Sequence, residues 1–271
     1  MSNIDQVSST ASSGLGFYTL VSALGFGLIA TAGIVTLGPS LASGDGGFTL
    51  IFGAVFIVLG LLMAGLVWRG GRMALIIAAI LSFLLLALLG PFSLFTLGHP
   101  ESAPDFIPTV LLLAGALLGF IGSVVALVQA RRHTSRPRAS RAERFALGIG
   151  LGIVALAVTL SGVLTLADQT VVSAEAKADA IEMQLKNFEF TPSILHVRSG
   201  ENVRLVIKND DPTLHTLTLP QAGVDVSVPP GSEKIVEFKA PAPGTYQWYC
   251  IPHASSDGSM RTGMVGTLLV E

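Results

Sequence analysis

Five long apolar runs dominate the N-terminal part of this sequence and limit what the chain can fold into. A helix needs roughly 20 apolar residues to cross the hydrocarbon core of a bilayer, and each run is about that long. Hydrophobic residues make up 51% of the chain and charged residues 13%, both outside the usual range of soluble proteins. The sequence therefore predicts an all-α membrane domain over residues 1–167, with spans near residues 16–38, 47–68, 73–97, 106–130 and 145–167.

The short segments between the runs predict their orientation, because Lys and Arg in short loops stay on the cytoplasmic side. Arg69 and Arg72 lie between the second and third runs. The segments after the first and third runs contain no Lys or Arg. The segment between the fourth and fifth runs is rich in arginine, at Arg131, Arg132, Arg136, Arg138, Arg141 and Arg144. With five crossings, we expect a cytoplasmic N terminus and an extracytoplasmic C-terminal region. The first run has no basic residue before it, so we expect it to be retained rather than cleaved as a signal peptide.

The runs carry no ionisable residue near mid-depth. Haem ligation, proton relay and ion transport need such residues inside the membrane, which argues against a haem-binding oxidase, a pump or a proton-coupled transporter. Gly115 and Gly119, like Gly148 and Gly152, have the small-xxx-small spacing that lets helices approach closely. We expect both pairs to lie at helix contacts.

The pattern changes after the fifth run. Residues 168–181 are mostly small and polar and predict a linker. Over residues 182–271, short segments rich in β-branched and aromatic residues alternate with turn residues, which predicts an all-β sandwich. The seven basic and ten acidic residues of this region are scattered, so the region offers no basic surface for nucleic acid.

Cys250 is the only cysteine in the chain, and His253 follows it in the stretch YCIPH. A single cysteine excludes an internal disulfide, and an unreactive buried cysteine is often only a small hydrophobic residue. A thiolate, two imidazoles and a distant thioether, however, form the donor set of a blue-copper centre. His215 lies 35 residues before Cys250, and Met264 begins the last predicted strand. Since loops converge at one end of a sandwich, these four residues can meet there.

Four stretches in this region resemble the copper-binding cupredoxins, the family of plastocyanin and azurin. They are NDDPTLHTLTLP, VPPGSE, PAPGTYQWYC and GMVGTLLV. The resemblance covers about residues 182–271 and implies a Greek-key cupredoxin sandwich with one mononuclear copper ion. It also implies the copper ligands, which are His215, Cys250, His253 and Met264.

The spacing departs from the family at one point. In plastocyanin-like members the methionine follows the histidine closely, whereas the ten residues ASSDGSMRTG separate His253 from Met264 here. This predicts a long loop over residues 254–263 and leaves Met260 as an alternative axial ligand. We prefer Met264 because it stands directly before the last predicted strand.

The remaining residues with donor atoms are expected to lie outside the site. His196 is expected at a strand edge, Met183 in the packing of the first strand, and His99 and His133 in solvated membrane loops. In TYQWYC, the period of two places Trp248 and Cys250 on the inner face of a strand and Tyr249 on the other face. The resemblance implies that the His253 imidazole edge is the first electron port and Tyr249 a second.

These observations predict a membrane-anchored, mononuclear blue-copper electron-transfer protein and not an enzyme. Its expected partners are membrane lipid and redox proteins such as a respiratory oxidase or reductase. The alternative is an extracytoplasmic protein that binds copper and delivers it for cuproprotein assembly, which the long 254–263 loop would suit. A dinuclear copper centre needs a second cysteine, and a multicopper oxidase or copper nitrite reductase needs more copper sites and more histidines than this chain has.

Overall fold

The structure is a computed structural model that describes residues 16–43, 47–131, 139–168, 172–257 and 260–271. His133 and three of the arginines expected on the cytoplasmic side, Arg132, Arg136 and Arg138, lie outside these ranges.

Six helices occupy the N-terminal part of the described chain, and five of them are long and apolar enough to cross a membrane. They are α1 (Phe17–Ser43), α2 (Phe48–Arg69), α3 (Arg72–Leu97), α4 (Ala103–Arg131), α5 (Arg141–Asp168) and the single turn α6 (Ala174–Lys177). The five long apolar helices agree with the predicted all-α N-terminal part of about five spans. The turn α6 lies inside the predicted linker.

Glycines allow α1 to pack closely against α4. A β-carbon added to Gly25 of α1 would lie only 2.5 Å from the carbonyl oxygen of Gly115 and 2.5 Å from the amide nitrogen of Gly119. The predicted role of Gly115 and Gly119 at a helix contact is therefore confirmed. The same prediction is wrong for Gly148 and Gly152, because among the described atoms nothing lies within 4 Å of a β-carbon at either position. Much of α5 is exposed in this structure.

In the described residues after the helices, nine strands form two packed sheets, which confirms the predicted all-β sandwich. They are β1 (Ile181–Lys186), β2 (Glu189–Thr191), β3 (Ile194–Val197), β4 (Asn202–Asn209), β5 (His215–Leu219), β6 (Val224–Val228), β7 (Glu233–Lys239), β8 (Gly244–Asp257) and β9 (Met260–Val270). One sheet has the order β2-β1-β4-β7 and the other β3-β9-β8-β5-β6. The chain crosses between the sheets repeatedly, so side chains from distant segments meet in one core.

Trp248 lies at the centre of this core, as its place in the alternating pattern of β8 predicts. It is 2% exposed and meets the Phe190 ring edge to face, with 6.2 Å between the ring centroids. Its partner on β9 is Gly266, where a β-carbon would lie 2.3 Å from the indole ring. The absence of a side chain at Gly266 therefore makes room for the indole two residues before Cys250.

Candidate metal centre

Three of the predicted ligands meet at one end of the sandwich. The His215 and His253 Nδ1 atoms lie 3.1 Å apart, and the Cys250 Sγ lies 3.6 Å from the first and 3.3 Å from the second. The point equidistant from these atoms is about 1.9 Å from each, close to the roughly 2.0–2.1 Å of a bond between an imidazole nitrogen and a metal such as zinc. The three donor atoms therefore already surround a space of the size of a metal ion.

His215 is held at the start of β5 by the turn that precedes it. The Asn209 side-chain amide donates hydrogen bonds to the carbonyl oxygens of Thr213 (2.8 Å) and Val228 (2.7 Å), and its oxygen accepts one from the Asp211 backbone N–H (3.0 Å). Asn209 thus ties the end of β4 to the turn before β5 and to the end of β6. The His215 side chain is completely buried.

Cys250 and His253 are brought together by a bulge in β8. This strand pairs with β9 up to Tyr249 opposite Val265, and pairs again from Ala254 opposite Gly263. Residues 250–253 therefore lie against a single residue of β9, Met264. A bulge of this kind bends the strand and redirects its side chains, so both ligands can face one point.

The bulge also depends on Gly263. This glycine has a φ of +94°, and a β-carbon there would lie 2.5 Å from the His253 carbonyl oxygen. Only glycine accepts both the left-handed backbone and the close approach at this position.

The predicted loop over residues 254–263 is wrong, because β8 and β9 continue as a hairpin beyond the ligands. Ala254–Asp257 pair with Met260–Gly263, and only residues 258–259 lie outside the described strands. The two strands stay paired here because the ladder of an antiparallel hairpin is made by backbone N–H and C=O groups, which polar residues and glycine also carry. The small and polar residues of this segment are typical of a loop, so the sequence did not predict that the strands extend through it.

Met264 stands on β9 opposite the bulge that carries Cys250 and His253, whereas Met260 stands at the start of that strand. Met264 is 2% exposed, faces the bulge of β8 and packs in the same core cluster as Cys250. Met260 begins β9 four residues earlier, or about 13 Å away at ~3.3 Å per strand residue. The Met260 side chain lies outside the described residues. The placement supports the choice of Met264 as the axial ligand, which stays a prediction.

The Cys250 thiol is fully buried and receives a hydrogen bond from the Thr216 backbone N–H at 3.3 Å. Burial raises the pKa of this thiol above its ordinary value, since the thiolate loses hydration, and the Thr216 N–H opposes the rise. A bound cation removes this cost because it supplies the missing positive charge. The site therefore favours a thiolate only together with a metal ion.

Both imidazoles are kept in the neutral form that binds metals. Burial lowers the pKa of His215 below its ordinary value, against the opposing effect of Asp211. Burial, and then the neighbouring His215, lowers the pKa of His253 to about 4. Neutral imidazoles have a lone pair available for a metal without first losing a proton.

Phe188 and Asp211 complete the surroundings of the two imidazoles, and no pattern in the sequence pointed to either. The Phe188 ring lies edge-on to His215, with centroids 5.5 Å apart, and to His253, with centroids 4.8 Å apart. Asp211 is buried and its Oδ2 lies 2.8 Å from the His215 Nε2. Burial raises the pKa of Asp211, but hydrogen bonds from Phe188, Asn187 and His215 outweigh this and hold the pKa below its usual value.

The other donor residues lie outside the cluster. His196 is exposed on the edge strand β3 and Met183 is buried in the core, as expected. Tyr249 lies on the opposite face of β8 from Cys250, and the Arg261 guanidinium covers its ring at 3.6 Å from the centroid. One face of the Tyr249 ring is therefore covered, which makes this side chain less accessible than the resemblance implied.

His99 is not the solvated loop residue that the sequence indicated. Its side chain is 24% exposed, its Nδ1 lies 2.9 Å from the Glu101 carboxylate, and it lies 3.3 Å from the Ser227 hydroxyl of β6. The segment between α3 and α4 thus contacts β6 of the sandwich, one residue from Val228, which pairs with His215.

Comparison with known families agrees with this geometry. A family model described as a cupredoxin-like domain matches residues 152–260. The match begins within α5 and ends where β9 starts, so it contains His215, Cys250 and His253 but not Met264. The chain carries a cupredoxin-like domain.

Three solved structures illustrate the similarity. Auracyanin A, a blue copper protein from Chloroflexus aurantiacus, is 22% identical over 34% of this chain and 98% of its own, with a TM-score of 0.28. Dithionite-reduced auracyanin from Roseiflexus castenholzii is 18% identical over 34% of this chain and 96% of its own, with a TM-score of 0.27. A chain of a heme-copper terminal oxidase dimer is 20% identical over 48% of this chain and all of its own, with a TM-score of 0.29. No curated protein sequence matched the chain.

The residues of the cupredoxin-like domain fit a single copper ion. Their donor set of two imidazole nitrogens and one thiolate in a trigonal arrangement is the one that copper occupies in blue-copper centres. Within the described chain, His215, Cys250 and His253 form the one cluster of three or more potential ligands among His, Cys, Asp and Glu. Copper is therefore the cofactor that the family and the geometry imply.

Proposed function

We propose that this protein is a membrane-anchored one-electron carrier that uses one copper ion held by His215, Cys250, His253 and Met264. Copper, when bound, would accept and release one electron by changing between the +2 and +1 oxidation states. The observation that carries the proposal is the grouping of two imidazole nitrogens and one sulfur within 3.1–3.6 Å of one another at one end of a sandwich. Such mixed nitrogen and sulfur donors suit an electron-transfer site.

The protein contributes a ligand set that is fixed before the metal binds. His215 begins a fully buried strand, and Cys250 is held by the Thr216 N–H, so neither side chain has room to move away. Ligands that stay in place when the charge of the ion changes keep the reorganisation small, which favours fast electron exchange. His253 is only half-buried, so its imidazole edge is the shortest route from the site to the surface.

We propose no catalytic role for this chain. Within the described residues, the ligand cluster is single, and the Phe188 ring lies against both imidazoles. A carrier needs only that electrons, and not substrates, reach the ion.

The five long helices would place this carrier at a membrane. The arginines between α2 and α3 and between α4 and α5 support a cytoplasmic N terminus, with the copper domain on the extracytoplasmic side. Anchoring there raises the local concentration of membrane-bound partners. A respiratory oxidase or reductase is the class of partner that this position suits.

Copper delivery, the alternative, loses its main support. It rested on a long loop over residues 254–263 that would hold the metal loosely, and this segment is a paired hairpin. The thiol and His215 are also fully buried, which disfavours direct ligand exchange with a second protein at these two residues.

The test is a visible and EPR spectrum of the full chain in detergent with one equivalent of Cu(II), followed by rapid mixing with a one-electron reductant. We expect an intense charge-transfer band from the cysteine sulfur, small copper hyperfine splitting and fast, reversible reduction. Cys250→Ser should remove the band, whereas His196→Ala, which changes an exposed histidine on β3, should leave it intact. A weak band with rapid loss of copper to a chelator would contradict the carrier and favour delivery.

A further inference from the structure

The His215 ligand has a carboxylate partner inside the protein. The Asp211 side chain is 3% exposed, and its Oδ2 lies 2.8 Å from the His215 Nε2. The other ring nitrogen, Nδ1, faces Cys250 and His253. A neutral imidazole has one N–H, so a ring that offers its Nδ1 lone pair to a metal must carry the proton on Nε2 and donate it to Asp211.

Asp211 is held in this position from three sides. Its Oδ1 accepts a hydrogen bond from the Asn187 N–H at 2.7 Å, and its Oδ2 accepts one from the Phe188 N–H at 3.0 Å. Its own backbone N–H donates to Asn209. These bonds hold the carboxylate, and with it the negative charge, beside His215.

The turn that provides two of these N–H groups has an unusual backbone. Asn187 and Phe188 have φ values of 55° and 60°, which point both amides toward Asp211. The same turn carries the Phe188 ring that lies against both imidazoles. One carboxylate thus fixes the ligand, its tautomer and the aromatic ring that covers it.

We propose that Asp211 is a positioning residue that fixes the Nε2–H tautomer of His215 and lowers the reduction potential of the copper site. A carboxylate that accepts a hydrogen bond from a ligand imidazole raises the basicity of the ligand. A more basic ligand and a fixed negative charge nearby both stabilise Cu(II) more than Cu(I). The inference rests on the copper site of the proposed function and adds a residue that sets its potential.

The test compares two aspartates that are neighbours in sequence. Asp211→Asn keeps the shape of the side chain and removes the charge beside His215. Asp210→Asn is the matched control, because it removes the same charge one residue away, where the side chain pairs with Lys208 at 2.8 Å and not with a ligand. Redox titration of the copper-loaded full chain, followed by the charge-transfer band, measures both potentials under the same conditions.

At a fixed applied potential, we expect Asp211→Asn to raise the ratio of Cu(I) to Cu(II) at least tenfold over the wild type, which is a rise of about 59 mV for one electron. Asp210→Asn should change the ratio less than threefold. Equal ratios in Asp211→Asn and Asp210→Asn would overturn the inference.

A second measurement keeps the inference testable if Asp211→Asn does not hold copper. In the wild-type Cu(I) form, nitrogen NMR of a histidine-labelled chain should show a His215 Nε2–H that exchanges slowly with solvent. An unprotonated Nε2 there would overturn the inference directly. If the wild type itself shows no charge-transfer band, the proposed function fails, whereas an intense band with an unchanged potential in Asp211→Asn removes only the role of Asp211.

Discussion

The first turn of α4 makes a contact with the copper domain that can be tested at a single amide. Asp105 Oδ2 accepts a hydrogen bond from the Leu214 backbone N–H at 2.7 Å, and Asp105 Oδ1 accepts one from the Thr213 hydroxyl at 2.9 Å. Ser102 donates to the same carboxylate at 2.7 Å and holds it in place. Leu214 directly precedes the predicted ligand His215. The Asp105 carboxylate therefore holds the backbone one residue away from the candidate copper site.

Asp105→Ala should expose the Leu214 amide while leaving the sandwich folded. A buried N–H that loses its acceptor costs about 1–3 kcal/mol, and a factor of ten corresponds to about 1.4 kcal/mol. Loss of this bond should therefore accelerate hydrogen exchange at the Leu214 N–H by about 5- to 150-fold. Exchange at each amide reports the free energy of the local opening that exposes it.

The assay is hydrogen–deuterium exchange of the full chain in detergent, resolved to single amides. Leu217, three residues along β5 and paired with Val226, serves as an internal control and should not change. Glu182→Gln, which alters an exposed carboxylate on the other sheet, should leave Leu214 unchanged. An unaltered Leu214 rate in Asp105→Ala would refute the contact, and equal acceleration of Leu217 would show general unfolding instead.

Three further predictions concern the copper domain itself. Gly266→Ala places a methyl group against the Trp248 indole and should lower the free energy of unfolding by about 1–3 kcal/mol, measured by urea titration of the full chain with near-UV circular dichroism. Met264→Ala should retain copper and shift the reduction potential, whereas Met260→Ala should not; the reverse result in redox titration would exchange the axial assignment. In the copper-free protein, the pKa of His253 is about 4 when folded and near 6.5 when unfolded, so the unfolded chain binds more protons between these values. Stability in urea should therefore be complete above about pH 6.5 and fall as the pH is lowered toward 4, and a curve that is flat over this window would contradict the burial of His253.

The parts of this structure that the sequence predicts are those set by local composition. A helix that crosses a membrane must be long and apolar, so its length appears in the sequence with little help from distant residues. The cluster of His215, Cys250 and His253 could be predicted because Cys250 and His253 are close in sequence and few other residues have suitable donor atoms. The alternation around Trp248 likewise follows from the strand period of two.

The parts that could not be predicted depend on which segments become neighbours. Gly115 and Gly148 begin the same motif, but only the first has a helix against it, and spacing within one helix does not reveal its partner. The segment after His253 is paired because β9 returns alongside it, although its own residues are typical of a loop. Asp211 has an unremarkable place in a polar turn, and its importance comes from the two N–H groups of a turn 24 residues earlier in sequence.

The segment from Asp211 to His215 connects these observations, because a carboxylate holds it at each end. Asp211 binds the imidazole of His215 from within the sandwich, and Asp105 binds Thr213 and Leu214 from the first turn of α4. The position of α4 is in turn set by its close glycine packing against α1. The packed helices α1 and α4 therefore hold, through Asp105, the backbone from which the His215 side chain projects.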